Sequence, residues 1–589
     1  MKKHLLLMIS ASLLASCGMN ITSSSSDNPS FNSIEESETG SFSSATTENQ
    51  GSSTSLTPTK GEDGYMILPD SYFPNYSGKM EGKSNSRIQI PEYDESTIFS
   101  GYRTYVNGKR VNCYNIKTDT SHTFASIGNK REDSAMLSIG LDGKATISIA
   151  LSHPIYRTPV IRPTQAGITP KIDKDYRVIS FTVYNKGQYT VEFNDYTTPT
   201  LHLFVEDVVE DTSMYKNDSS VMYFEEGLHT SSNDSRIPSS GTINLNDSIK
   251  TVYLEPGAIV RAAFFAYSLD NVRILGQGVI DGSVYERNAT TNSRLIPIDF
   301  QYCSNVTIQD VTFTDCAGWC LNLYFLNGAT IDNVKIITSR ANGDGISVQS
   351  CQNVEVKNCF VRTFDDSLVV KNYPKYGNYS IEGTTKHIHF DNCLIFNDLA
   401  QCMEIGYETI GSIMEDITFN NITVLHAYHH AVISIHNANN AEVKGVSFEN
   451  ITVEDPSMGK GDGNGRLIDI QAAFSSTWST NWKNTAVGNV YAPKIKNFLV
   501  NTTNTPTIQI IGSLDERDNT AHYVTDPVLE DVSINGNVID SSYSKLVTNS
   551  YVKNLQILKS GSAVSGSHIT YAKTSSEIEA EYSSYADFI

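Results

Sequence analysis

Two short stretches of the chain, Asn342-Gly343-Asp344-Gly345 and Phe364-Asp365-Asp366-Ser367, put three carboxylates into two loops, with 21 residues from Asp344 to Asp365. Paired carboxylates flanking a bond are the minimum equipment of glycoside hydrolysis: one protonates the departing oxygen and another activates water. Three of them held together in a partly dry cleft cannot all ionise comfortably. At least one should then keep its proton to a higher pH than usual, which a general acid at neutral pH requires. A lone Asp-Gly or Asp-Asp is ordinarily a turn. Chemistry here depends on whether the two loops lie side by side.

The surrounding sequence supplies a reason for them to do so. Asn305-Val-Thr-Ile-Gln-Asp-Val311 recurs as Ala329-Thr-Ile-Asp-Asn-Val334, Asn353-Val-Glu-Val-Lys-Asn-Cys359, His387-Ile-His-Phe-Asp-Asn-Cys393, Asp416-Ile-Thr-Phe-Asn-Asn-Ile422 and Gly445-Val-Ser-Phe-Glu-Asn-Ile451. Successive starts lie 24, 24, 34, 29 and 29 residues apart. A coil of that length built from alternating strands cannot bury its apolar face alone, but a stack of coils encloses a continuous core. The expected fold is a right-handed parallel β-helix over residues 237–589, with the two acidic loops on adjacent coils. The Asx-Asn pair of each copy falls where the chain must turn, because Asn tolerates the left-handed backbone and stacked Asn side chains can bond to one another. Cys359 and Cys393 occupy a slot held elsewhere by Val311, Val334, Ile422 and Ile451, so they read as small core residues rather than disulfide partners. Longer intervals place inserted loops at 372–385 and 455–485, and loops on one face of a solenoid commonly form the binding cleft.

Ahead of the repeat, residues 62–236 alternate with period two in short runs such as Ala145-Thr-Ile-Ser-Ile-Ala150 and Val178-Ile-Ser-Phe-Thr-Val-Tyr184, separated by turn residues. That pattern predicts an antiparallel β-sandwich, read as a structural or carbohydrate-docking module. Residues 18–61 are Ser, Thr, Asn, Gly and Glu with little to bury, and read as a disordered linker. Met1-Lys2-Lys3-His4 followed by an apolar run to Leu14 has the layout of an export signal. With Leu14-Ala15-Ser16-Cys17 it reads as a bacterial lipobox. Residues 1–17 are therefore expected to be a lipoprotein signal, with Cys17 lipidated and the protein held at the cell surface. The net charge is −21, and no cluster of Lys and Arg suits a nucleic acid. Neither a phosphate loop, a dinucleotide fingerprint nor a zinc-type Cys/His pattern is present, so no cofactor or metal is expected, and the chain is expected to act as a monomer.

These motifs resemble the β-helical polysaccharide hydrolases of glycoside hydrolase families 28 (polygalacturonases) and 49 (dextranases and isopullulanase), which carry an Asn-x-Asp-Gly-like loop and an Asp-Asp loop one coil later. The resemblance covers roughly residues 240–460. It implies that Asp365 is the general acid and that Asp344 and Asp366 hold and deprotonate the attacking water, with inversion. It implies a polysaccharide substrate. Polygalacturonases place Gly-His-Gly on the next coil, where the aligned stretch of this chain, Ala400-Gln401-Cys402-Met403-Glu404-Ile405-Gly406, has no His. They hold the uronate carboxylate with Arg-Ile-Lys, where the corresponding strand of this chain reads Ala431-Val-Ile-Ser-Ile-His436. The missing basic pair favours a neutral α-glucan of the dextran type, and an N-terminal β-sandwich also belongs to the dextranase side.

Asn342, Lys371, Gln401, Glu404, Tyr407 and His436 are the candidate sugar-binding residues around the acids. Arg362 flanks the Asp-Asp loop, and His426, His429 and His430 form a dense group nearby. Trp319, Tyr373, Tyr376, Trp478 and Trp482 are further aromatic candidates. Three other readings stay open: a pectin-type hydrolase, a polysaccharide lyase whose acids bind Ca²⁺, and a non-catalytic glycan binder.

Overall fold

The computed structural model describes residues 59–69, 72–73, 86–119, 131–184, 186–193, 198–286, 295–456, 465–478, 485–563 and 569–570. The signal segment, Cys17, most of the linker and Trp482 lie outside the described residues. From Val221 onward the chain winds into stacked coils of three short strands. In one coil these are Asn327–Asp332, Lys335–Ile337 and Ile346–Gln349. Each pairs in parallel with its counterpart one coil on: Gln352–Lys357, Phe360–Thr363 and Leu368–Asn372. The first two strands of every coil belong to one 25-stranded sheet and the third to a 13-stranded sheet. This is the parallel β-helix expected from the repeat.

The sequence period dictates this winding. Alternate residues of each strand, such as Ile331, Val356, Phe390, Phe419 and Phe448, point inward and are fully buried in one core, each contributing about 1.5–3 kcal/mol. Phe390, Phe419 and Phe448 stack ring on ring, with centroids 4.5 and 4.9 Å apart. Cys359 and Cys393 lie in the same core, and all eight described cysteines are free and buried. The bend between the first two strands falls on Asn333, Asn358, Asn392, Asn421, Asn450 and Asn497, all at positive φ between 51° and 56°. Their side chains form a ladder along the cylinder: Asn392 donates to Asn358 over 2.8 Å, Asn450 to Asn420 over 2.8 Å and Asn497 to Asn450 over 2.7 Å.

The N-terminal domain is a sandwich of a six-stranded and a five-stranded sheet enclosing Leu137, Ile147, Ile179, Val191 and Leu203. It departs from a purely antiparallel layout at one place. Leu201–Glu206 runs parallel to Arg131–Asp142, in register from Leu201 opposite Ala135 to Glu206 opposite Gly140. Alternation alone does not distinguish the two directions, because side chains project alternately in either. Both strands are buried on both faces at this point. Tyr93, Tyr114, Ile116, Met136 and Phe204 pack outward against Ile337, Phe360, Phe396 and Leu425 of the β-helix, so the domain is seated on the second strand of several coils.

Candidate active site

The second and third strands of each coil are joined by the loops that carry the acids. Main-chain bonds stack these loops: Gly345 N–H donates to Asp366 O over 2.8 Å, Ile346 to Ser367 O over 3.0 Å, and Ser367 to Gln401 O over 2.9 Å. Three coils thus deliver Asp344, the Asp365–Asp366 pair and Gln401 to one place. Gly345 is required by this stacking, because a Cβ there would lie 2.4 Å from Ser367 O and 2.6 Å from Val361 Cγ1. Asn342 supplies the turn ahead of Asp344, at φ 52°. Asn397, fully buried, donates to the main-chain oxygens of Asp365 (2.9 Å) and Gln401 (3.2 Å) and to Ser367 Oγ (3.0 Å), tying the second and third loops together.

The three carboxylates share one electrostatic environment. Burial, followed by the charges of Asp365, Asp344 and Glu404, pushes the Asp366 carboxyl well above the usual carboxylate range, against the pull of Lys371. Asp366 also accepts the main-chain N–H of Gln401 over 3.2 Å, and its own N–H reaches Asp365 Oδ1 over 3.0 Å. Asp344 is 2 % exposed and Asp366 9 %, whereas Asp365 is only partly buried. Of the three, Asp365 is the one most open to an incoming bond.

The outward face of the third-strand sheet forms the adjoining wall. Strand register aligns Glu404 with Ser434 and Asp469, and Lys371 with Gln349 one coil before it. Lys371 Nζ lies 3.5 Å from Asp344 and 3.4 Å from Glu408, and 5.0 Å from the centre of the Trp319 ring. Burial works against its ammonium, yet Glu408 and Asp344 hold its pKa well above the ordinary lysine value. His436 Nδ1 meets Glu404 at 2.8 Å while Nε2 faces Asp469 at 3.5 Å. Burial opposes charge on this ring too, but Glu404 and Asp469 outweigh it and bring the pKa up to about 10, so the imidazole is a cation at neutral pH. Glu404 also accepts from Ser434. Tyr407 lies flat on His436, centroids 4.2 Å apart and planes 8° from parallel, with Trp478 6.1 Å beyond.

Asn342, Lys371, Gln401, Glu404, Tyr407 and His436 therefore gather around the acids or on the wall beside them. Glu404 and His436 are buried and engaged with each other, under Tyr407. Arg362 turns away from Asp365 and Asp366 and lies buried against Asp398, so it does not tune the acids directly. His426 lies against the N-terminal domain, between Glu192 (2.9 Å) and Asp455 (3.0 Å). Tyr373 packs with Tyr324 and Ile410, with Tyr376 against them, so these rings hold the inserted loop in place. Glu408, Ser434 and Asp469 escaped the sequence reading. The signal was present for Asp469, which occupies the Glu404 slot two coils later, but that slot becomes visible only once the inserts are removed from the count.

Residues 225–461 match the family model described as glycosyl hydrolases family 28. The chain is 26% identical over 192 residues to a polygalacturonase of Gossypium barbadense, covering 27% of this chain and 47% of that protein. It is 30% identical over 112 residues to a polygalacturonase of Brassica napus, covering 17% and 28%. The chain thus spans less than half the length of these relatives. Among solved structures it is similar to Dex49A from Penicillium minioluteum, with TM-score 0.49 and 15% identity over 81% of this chain and 91% of that one. It is also similar to a family 28 exopolygalacturonase of Yersinia enterocolitica, with TM-score 0.42 and 13% identity over 82% and 95%.

Proposed function

From the relationship of its central coils to the family 28 glycosyl hydrolases, we propose that the chain hydrolyses glycosidic bonds of a polysaccharide at the Asp344–Asp365–Asp366 cluster. The observation that carries this reading is the raised pKa of Asp366 beside the more open Asp365. A cluster whose burial and crowded charges favour keeping one proton can pass it to a leaving oxygen, and the remaining carboxylates can take one from water. Asp365 is assigned the proton donor. The one proton shared by the adjacent Asp365–Asp366 pair sits on Asp365 for the transfer, which leaves Asp366 ionised beside Asp344 to hold and deprotonate the water, and the product forms with inversion.

The preferred substrate is a neutral α-glucan of the dextran kind. The cations on the wall support this: Lys371 faces Asp344 and Glu408, and His436 faces Glu404 and Asp469. Charges balanced in this way have little attraction left for a uronate, and an anionic sugar buried here would meet the surrounding carboxylates. The family 28 match and the polygalacturonase relatives favour a second reading, a pectin-type polymer. Incubating the full chain with dextran and with polygalacturonate and measuring new reducing ends separates the two. Release from dextran is expected. Release from polygalacturonate alone would overturn the preference, and release from neither polymer nor from other glucans would overturn the hydrolase assignment.

We further propose export, with the chain anchored through a lipid on Cys17 and acting as a monomer at the bacterial surface. Cys17→Ala should then move the protein from the membrane to the soluble fraction. An unchanged distribution would contradict the anchor.

A further inference from the structure

Arg362 is among the largest fully buried side chains of the protein, and its partners come from both domains. Its Nε and terminal nitrogen reach Asp398 at 3.1 and 3.2 Å. The same terminal nitrogen donates to the main-chain oxygen of Asp119 over 3.1 Å. The other faces His202 Nε2 at 3.3 Å, and the guanidinium lies 3.9 Å over the ring of Phe396. Asp119 and His202 belong to the N-terminal sandwich. His202 Nδ1 meets the carbonyl of Ala135 at 3.3 Å and so carries the proton, which leaves Nε2 as an acceptor for Arg362. Ser339 completes the group: its hydroxyl accepts the N–H of Asp119 over 3.0 Å and lies 3.3 Å from Asp398.

Ser339, Arg362 and Asp398 stand on three successive coils. Each lies three residues ahead of a site residue, respectively Asn342, Asp365 and Gln401. Main-chain bonds join the same coils here, from Thr338 N–H to Arg362 O (3.0 Å) and from Asp398 N–H to Thr363 O (2.8 Å). Among the described residues, other polar contacts between the domains lie elsewhere, the bridges from Arg131 to Asp315 and from Arg162 to Glu454 among them. Glu206 meets Lys335 at 2.7 Å, Gln188 meets Asn333 at 3.0 Å, and Glu192 meets His426. None of these residues is within three positions of Asn342, of Gln401 or of the three acids.

We infer that the N-terminal sandwich is a positioning part of the active site, acting through Asp119 and His202 on the Arg362–Asp398–Ser339 group that fixes the roots of all three site loops. The inference rests on the hydrolase reading only for its effect on turnover. A side chain with five fixed donors shared among two domains and two coils sets the spacing of those loops more firmly than apolar packing does. Small displacements of reacting groups are costly in rate.

The test uses the full chain with Ser339→Ala, Arg362→Met, Arg362→Lys and, as an interface control, Gln188→Ala. Amide exchange is followed by mass spectrometry in peptides covering residues 339–345, 363–367 and 398–402, and kcat and KM are measured on whichever of dextran or polygalacturonate the wild type cleaves. Ser339→Ala and Arg362→Met should raise exchange in all three loops by about tenfold. They should lower kcat by about tenfold while KM changes little. Arg362→Lys should restore part of both, and Gln188→Ala should leave the loops as in the wild type. Wild-type exchange in the Ser339→Ala loops, or an equal increase in Gln188→Ala, would overturn the inference. Ser339→Ala decides the matter if Arg362→Met fails to fold. If the wild type cleaves neither polymer nor other glucans, the hydrolase reading is at fault, and the exchange data still decide the positioning role.

Discussion

Gln401 donates its main-chain N–H to Oδ1 of Asp366 across 3.2 Å, from the coil that follows the Asp-Asp loop. The winding of the chain, rather than any local sequence feature, brings these residues together: they are 35 positions apart and meet because each coil advances the backbone by one strand spacing. The same winding places Asp344 on the coil before, so the cluster is a property of the stack.

The elevated pKa of Asp366 predicts a specific dependence of stability on pH. A carboxyl whose folded pKa is raised binds its proton more tightly when folded, so the protein loses stability as pH rises from the unfolded value of 3.8 toward the folded one, by about 1.4 kcal/mol per unit of separation. Asp366→Asn removes that loss. Its melting temperature should exceed that of the wild type by more at pH 8 than at pH 4, with hydrolysis strongly reduced. An equal difference at both pH values would show that Asp366 is not held protonated.

His436 has the opposite sign. Its pKa is raised from 6.5 to about 10, so its contribution is fully present below about 6.5 and disappears as pH rises through about 10. His436→Gln should cost about 3–5 kcal/mol near neutrality, because Glu404 and Asp469 then face each other without a cation. Thermal melts at pH 6 and pH 10 should show the gap between variant and wild type closing at the higher pH. A gap independent of pH would mean that the ring is neutral.

Gly345 tests the stacking itself. A methyl there meets Ser367 O and Val361, so Gly345→Ala should destabilise by about 1–3 kcal/mol and displace the Asp344 loop from Asp366. Melting curves measure the first effect, and a fall in turnover the second. An alanine variant with wild-type melting and rate would mean that the loops are less tightly stacked than described.

Much of this arrangement was legible in the sequence. The recurring Asx-Asn pair marked each bend, because a position that needs positive φ selects Asn from the available side chains, and the interval from Asp344 to Asp365 set the acids one coil apart. Other features were not legible for physical reasons. Glu404 looks like a polar residue on a strand, and only the stacking of coils, which sets Ser434, His436 and Asp469 beside it with Tyr407 lying on the His436 ring, makes that face an interior. In the sequence Arg362 flanks the acids, because three positions separate it from Asp365. The coil turns between them, and the side chain points into the N-terminal domain. The parallel pairing of Leu201–Glu206 with Arg131–Asp142 leaves no trace in alternation.

The central claim is that Asp365 donates a proton to the departing sugar oxygen from a cluster built by stacked loops. Its most direct test compares reducing-end release by the wild type and Asp365→Asn on the cleaved polysaccharide, with circular dichroism and melting curves confirming an intact β-helix. The account predicts a fall of about 10²–10⁴-fold in kcat with the fold retained. A folded Asp365→Asn variant with undiminished turnover would contradict it.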